Sequence, residues 1–261
     1  MGCHWPLRAF PLCLWRPSRW KAPIPAPAQD VICQGINYMA HSDEAEKYSA
    51  AAFATKHEDA IYFSKRVTRA VPDGGPIEAH TDLVKKLDYE CELAVVLGRD
   101  ARDVPAGQTR DYIFGYTILN DVSARDVQTA HKQWYFGKSL DGFTPIGPCI
   151  VTADAFADYP PRLGIRSFVN GEKRQDSNTA LQIFDIDHVI AELSQGMTLK
   201  AGTIIATGTP AGVGMGMDPP QFLKPGDVVR CEIDGIGTLT NTGQVIPKCN
   251  IIDEVYELLY N

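Results

Sequence analysis

The stretch Asp88-Tyr89-Glu90-Cys91-Glu92-Leu93-Ala94-Val95-Val96-Leu97-Gly98 limits the fold more than any other part of the chain. Its apolar, β-branched run ending on glycine predicts a strand, in which successive side chains face opposite ways. Glu90 and Glu92 then share a face with Ala94 and Val96, while Cys91, Leu93, Val95 and Leu97 take the other and read as core. The acidic pair sits at the mouth of something mostly buried. Two carboxylates held about 4 Å apart repel by roughly 4 kcal/mol at an effective dielectric near 20, so a site that forces them together needs a proton or a cation. All-oxygen donors favour a hard ion, magnesium, manganese or calcium, over zinc. A solvated strand edge carries the same Glu-x-Glu spacing, and the rest of the chain has to choose between the two.

A chain of 261 residues holds one large domain or two small ones and buries a sizeable core. The net charge of −7, with no basic block in the body, argues against nucleic acid and anionic membrane as partners. No apolar run approaches the roughly 20 residues of a spanning helix. Cys3, Cys13, Cys33, Cys91, Cys149, Cys231 and Cys249 show no Cys-x-x-Cys spacing and read as buried reduced thiols in a cytosol-like compartment. Residues 1–22 stand apart: Arg8, Arg16, Arg19 and Lys21 lie among Trp5, Trp15, Trp20 and prolines, the composition of a disordered extension. Residues 23–261 are expected to form a single catalytic domain.

Val31 to Tyr38 predicts a short strand running into a glycine turn. Residues 39–57 suit a helix by propensity but carry few large apolar anchors, as in a mobile lid. On such a helix His41 and Glu44 are neighbours, and an imidazole held by a carboxylate is a competent general base near neutral pH. A surface histidine beside a surface glutamate has the same spacing. Strands are expected at Ile61–Lys65 and Ile113–Asp121, with a short helix between Pro105 and Tyr112. Asp121 ends the second strand, well placed to converge with the two glutamates, and Arg125 and Gln128 follow. Asn170-Gly171 is a hairpin turn pair, and Asp185 a candidate N-cap for a helix whose His188 faces solvent. Thr203–Thr207 reads as a buried strand delivering Gly208-Thr209-Pro210. The run Gly212–Gly216 lacks the Lys-Ser/Thr of a phosphate loop and reads as a flexible loop. Val228–Ile233 is a late strand and Asp253–Tyr260 a closing helix.

Taken together, Gly35-Ile36-Asn37-Tyr38 with His41 and Glu44, Phe63-Ser64-Lys65, Asp88-Tyr89-Glu90-Cys91-Glu92, Asn120-Asp121-Val122-Ser123-Ala124-Arg125-Asp126, Gly137-Lys138-Ser139, Pro145-Ile146-Gly147-Pro148 and Thr207-Gly208-Thr209-Pro210 resemble the fumarylacetoacetate hydrolase family in order and spacing. The resemblance covers about residues 22–245; the Trp/Pro segment at the start departs from it. It implies a mixed α/β, β-rich fold, a rolled mixed β-sheet with short peripheral helices, as a homodimer in the cytoplasm. It implies magnesium or manganese, with calcium as a third candidate, on Glu90, Glu92 and Asp121. By the same carry-over His41 and Glu44 resemble a water-activating pair and Lys138 a catalytic lysine, while Arg125, Gln128, Thr209 and Lys65 resemble substrate contacts. The expected substrate is a small 2-oxo or 2,4-dioxo acid. The implied reaction is hydrolysis of the C–C bond of an acylpyruvate or fumarylpyruvate. Decarboxylation or isomerisation of oxaloacetate or 2-oxo-dienedioates at the same site is the alternative, and a non-catalytic oxo-acid-binding homologue the reading from another class.

Overall fold

The computed structural model describes residues 21–246. The expected extension over residues 1–22 lies almost wholly outside the described residues, and the closing helix at 253–260 wholly so. In chain order the strands are β1 (Val31–Gly35), β2 (Ile61–Lys65), β3 (Pro76–Glu78), β4 (Leu87–Asp88), β5 (Cys91–Leu97), β6 (Ile113–Asn120), β7 (Ser123–Ala124), β8 (Ile146–Thr152), β9 (Gly164–Val169), β10 (Glu172–Asn178), β11 (Ile204–Ala206), β12 (Val228–Ile233) and β13 (Gly237–Gln244). The α-helices are α1 (Met39–Phe53), α2 (Arg125–Ala130), α3 (Tyr135–Lys138) and α4 (Ile186–Ser194). A six-stranded sheet runs β2-β1-β11-β5-β6-β8, a five-stranded sheet β10-β9-β12-β13-β3, and β4 with β7 makes a small ribbon. This is the mixed, β-rich class with few short helices that the motifs imply.

The acidic stretch occupies the middle of the first sheet, and every residue of β5 is buried. Cys91, Leu93, Val95 and Leu97 pack with Ile165 and Val169 of β9, Val229 and Ile233 of β12 and the apolar face of α4. Ala94 and Val96, on the opposite face, join Val31, Cys33, Leu119 and Ile146 in a second cluster. A strand enclosed on both faces accounts for the uninterrupted apolar run. The strand is shorter than expected, because Leu87-Asp88 leaves the sheet to pair with Ser123-Ala124. Glu90 therefore stands just before β5 and not within it.

Several local expectations are met. Asn170 and Gly171 both take positive φ, 52° and 84°, in the turn joining β9 to β10. Asp185 caps α4 by accepting the His188 N–H, and His188 is exposed. Others are corrected. Between Pro105 and Tyr112 only Thr109–Tyr112 is helical, as a single 3-10 turn, since Gly107 sits at φ 82° and donates its N–H to Asp187. Cys33, Cys91 and Cys231 are buried free thiols, but Cys149 is exposed, at a position where β8 has left the core. No helix among the described residues is long and apolar enough to cross a membrane.

Candidate active site

Strand register brings the three carboxylates together. Cys91 of β5 pairs with Asn120 of β6, so the next residue on each strand, Glu90 and Asp121, also meet. The Asp121 N–H donates to the Glu90 carbonyl at 2.8 Å, and the Asn120 side-chain oxygen accepts the Glu90 N–H at 3.0 Å. Glu92 lies one pleat further along the same face. Each of the three turns one carboxylate oxygen to within 4.8 Å of the others, and all three residues are buried.

Three buried cations surround them. Lys138 Nζ, at the end of α3, lies 2.8 Å from both Glu90 Oε2 and Asp121 Oδ2. Arg125, opening α2, sets Nε 2.9 Å from Asp88 Oδ2 and Nη2 2.6 Å from Glu90 Oε1. Lys65, ending β2, donates to Asp121 Oδ1 at 2.5 Å and to the Val122 carbonyl at 3.1 Å. Asp88, Glu90, Glu92 and Asp121 against Lys65, Arg125 and Lys138 leave one formal negative charge uncompensated. That charge sits on Glu92, which accepts the Gly208 N–H at 2.9 Å and has no lysine or arginine within ion-pair distance among the described residues.

The titration behaviour follows this layout. Burial opposes ionisation of Glu90, but Lys138 and Arg125 outweigh it and hold the carboxyl well below the usual range. Burial, then Asp121 and Glu90, push Glu92 well above it. For Lys138, burial works against the charge and is overcome by Asp121 and Glu90, so the ammonium is held above its ordinary value. An all-oxygen donor set that is buried, anionic and short of one positive partner fits a hard divalent cation.

His41 and Glu44 lie about one turn apart near the start of α1, with Nδ1 2.9 Å from Oε1. Histidine is 4 % exposed, so this is not a solvated surface pair. Glu44 also accepts the Gly212 N–H, and Asp88 accepts those of Gly214 and Met215. The glycine-rich run is thus a pinned turn whose amides hold the chain's own carboxylates, not a flexible loop. Helix α1 docks through a narrow cluster of Ala45 and Phe53 on Ile36, Val213 and Met215, and is kinked at Ser49.

A cavity of roughly 10 Å³ is lined by His41, Glu90, Glu92, Arg125, Gln128, Lys138 and Thr209, with Gln34, Ile36, Phe53, Phe63, Trp134 and Met215. Asp121 is not part of this lining and meets it through Lys138. A larger groove of about 300 Å³ beside Arg162 and His188 has no comparable cluster of buried charge. Of the residues expected at the site, Lys65 is misplaced as a substrate contact. It is fully buried behind Asp121 and away from the cavity lining. Breaking one partner of a buried pair costs about 3–5 kcal/mol. Lys65→Met is therefore expected to lower the unfolding free energy of the ion-free protein by about 3 kcal/mol in urea titrations; a loss below about 1 kcal/mol would remove Lys65 from this role.

Sequence reasoning missed two buried residues. Asp88 anchors Arg125. Gln175 of β10 accepts the Cys91 N–H at 3.1 Å and donates to Thr209 Oγ1 at 2.7 Å, tying the acidic strand to the Thr209 turn. Asp88 adjoins the acidic pair and was open to notice; Gln175 lies 84 positions from Cys91 with no local pattern to mark it.

Comparison with known proteins places these residues in context. The family profile described as "Fumarylacetoacetate (FAA) hydrolase C-terminal" matches residues 30–244. An oxaloacetate tautomerase of Bacillus subtilis, YisK, is 44% identical over 220 residues, 84% of this chain and 71% of the relative. A fumarylacetoacetate hydrolase from Exiguobacterium antarcticum superposes with a TM-score of 0.75 at 45% identity, covering 84% of this chain and 76% of its own. A fumarylpyruvate hydrolase from Pseudomonas aeruginosa, solved with Mn2+ and pyruvate, gives a TM-score of 0.72 at 28% identity over 85% of this chain and 91% of its own.

Proposed function

Since this chain belongs to the fumarylacetoacetate hydrolase family, we propose that it is a divalent-metal-dependent enzyme that cleaves the C3–C4 bond of 2,4-dioxo acids of the acylpyruvate or fumarylpyruvate type. The observation that carries the reading is the buried triad Glu90, Glu92 and Asp121 beside the His41–Glu44 pair. Glu90, Glu92 and Asp121 would hold magnesium or manganese, which would supply Lewis acidity toward such an acid. A divalent charge would turn the formal −1 of the buried site into +1, which the single carboxylate of an acylpyruvate would neutralise. Lys138 and Arg125, already aimed at the carboxylate cluster, hold the charge that the substrate brings.

Glu44 accepts the Nδ1–H of His41, which leaves Nε2 as the basic nitrogen. In hydrolysis Nε2 takes a proton from water as its oxygen bonds to C4. The C3–C4 bond then breaks, its electron pair passes toward the 2-oxo oxygen, and C3 receives a proton to release pyruvate and a carboxylic acid. Trp134, Phe53 and Phe63 form the apolar part of the cavity wall. A space of roughly 10 Å³ admits about one water and no oxo acid, so α1 opens for substrate and closes over it.

The Bacillus subtilis relative favours a second reading, tautomerisation of oxaloacetate. There Nε2 takes the proton from C3 and the enol oxygen is protonated in turn, with the same residues and no attacking water. Pyruvate release from acylpyruvates and fumarylpyruvate, and enol loss from oxaloacetate, each measured with and without magnesium, test both. Hydrolysis of an acylpyruvate at least about 10-fold above the other activities is expected. Enol loss alone assigns the second reading, and no magnesium-dependent turnover of any of these acids refutes both.

A further inference from the structure

Asp88 takes no part in the chemistry above, yet its carboxylate is fully buried and holds four donors. Oδ1 accepts the N–H of Tyr89 at 2.9 Å and of Gly214 at 2.7 Å; Oδ2 accepts that of Met215 at 3.0 Å and Arg125 Nε at 2.9 Å. In the same turn the Gly212 N–H donates to both oxygens of Glu44 at 3.1 Å. The turn 212–216 is therefore gripped on one side by the carboxylate of the dyad and on the other by the carboxylate that carries Arg125.

The fit leaves little slack. A Cβ on Gly214 would stand 2.2 Å from the Gln221 carbonyl and 2.6 Å from Asp88 Oδ1, and one on Gly216 would stand 2.3 Å from Glu44 Oε2. Closely packed elements move between discrete arrangements and do not deform smoothly. Beyond Asp88, the same guanidinium reaches Glu90 Oε1 at 2.6 Å. A continuous path runs from Glu44 through Gly212, Gly214 and Met215 to Asp88, Arg125 and Glu90.

We propose that Asp88 is a positioning residue that couples the docking of α1 to the orientation of Arg125. With Glu44 on Gly212, the turn presents the Gly214 and Met215 amides to Asp88, and Asp88 fixes Arg125 beside Glu90. When Glu44 leaves, the turn relaxes, Asp88 loses two of its donors, and Arg125, still paired with Glu90 and Gln128, loses a fixed anchor at its Nε. The Arg125 part of the cationic side is then fully fixed only under a closed α1, while Lys138 and Lys65 stay on Glu90 and Asp121. The consequence for substrate rests on the oxo-acid reading above; the coupling itself is a property of the chain. An aspartate is required because asparagine has one acceptor oxygen, and its NH₂ would meet either the Met215 N–H and Arg125 Nε–H or, flipped, the Tyr89 and Gly214 N–H groups, donor to donor.

The test uses the full chain and reads across the turn. Amide hydrogen exchange is followed at Gly212, Gly214 and Met215, with the Gly208 amide, held by Glu92, as reference. Oxalate affinity in the presence of magnesium is titrated alongside. Coupling between sites commonly amounts to about 5–150-fold and acts equally in both directions. Asp88→Asn is expected to speed exchange at Gly212, which does not touch Asp88, by about 10-fold. Glu44→Gln is expected to speed it similarly at Gly214 and Met215, which do not touch Glu44. Gly208 stays unchanged in both, and the oxalate Kd rises by about the same factor. Exchange confined to the amides each variant directly frees, with oxalate affinity unaltered, overturns the coupling. Should Asp88→Asn not fold, the Glu44→Gln arm decides on the same criterion. A wild-type protein that binds no oxalate with magnesium defeats the oxo-acid reading, while the exchange arms still decide the coupling.

Discussion

Glu92→Gln is expected to lose metal-dependent turnover by about 10³-fold or more and, with no divalent ion present, to unfold later than the wild type. The two effects have one cause. Glu92 is the buried carboxylate without a cationic side chain of its own, and burial, Asp121 and Glu90 all raise its pKa well above 4.5. In the ion-free protein its charge is a burden, whereas for a divalent ion it is the charge that completes the donor set. Glutamine keeps the shape and an oxygen for the Gly208 N–H but removes that charge. Lewis-acid stabilisation is worth several kcal/mol, and each 1.36 kcal/mol is about a factor of ten in rate.

The pH dependence carries the same signature. An acid whose folded pKa is raised binds its proton more tightly in the folded than in the unfolded state, so it favours folding below the unfolded value and loses that contribution as pH rises above it. Ion-free wild type should accordingly lose stability as pH climbs from 4.5 toward the raised folded value of Glu92, and Glu92→Gln should be flatter over that window. Magnesium should stabilise the wild type most at the upper end. Calorimetry from pH 4 to 8, with chelator or with magnesium, reads all of this at once. A variant that unfolds earlier than ion-free wild type, or one that still turns over with magnesium, contradicts the assignment.

How much of this was legible in the sequence depends on how local the cause is. The alternation along Cys91–Leu97 separates the two faces and marks one of them as core, since period two is a property of the strand itself, while burial of the Ala94 and Val96 face comes from the second cluster packed on it. Asn170-Gly171 and Asp185 were readable because turn and cap chemistry reside in one or two residues. The convergence of Asp121 on Glu90 was anticipated from its place at a strand end, but only the β5–β6 register fixes it. By resemblance Lys65 is expected at the substrate, whereas it faces Asp121. A lysine ending a strand reads the same whether its partner is a ligand or a buried carboxylate, and that choice is made by tertiary packing. Gly212–Gly216 looked flexible for a related reason. Its amides find their acceptors on Glu44 and Asp88, 168 and 126 positions away, where composition carries no trace.

His41→Gln should separate the chemistries that share this centre. Hydrolysis needs a base to take a proton from water, and tautomerisation needs one to take it from C3; a positioned general base contributes about 10²–10⁴-fold. Loss of carbon dioxide from oxaloacetate asks for neither. Glutamine retains a polar group for Glu44, and His41 lies outside the carboxylate triad, so magnesium affinity is expected to stay within about threefold of wild type. Acylpyruvate hydrolysis and oxaloacetate tautomerisation should both fall by about 10²–10⁴-fold, while decarboxylation stays within about threefold. The ratio of the activities, more than any one of them, carries the information, because a general loss of folding or metal would lower all three together. Undiminished acylpyruvate hydrolysis in this variant would exclude His41 as the base. The proton would then have to pass to Lys138, the titratable group on the cavity wall besides the carboxylates and Arg125, whose ammonium Asp121 and Glu90 hold in its protonated form and so make a poor acceptor.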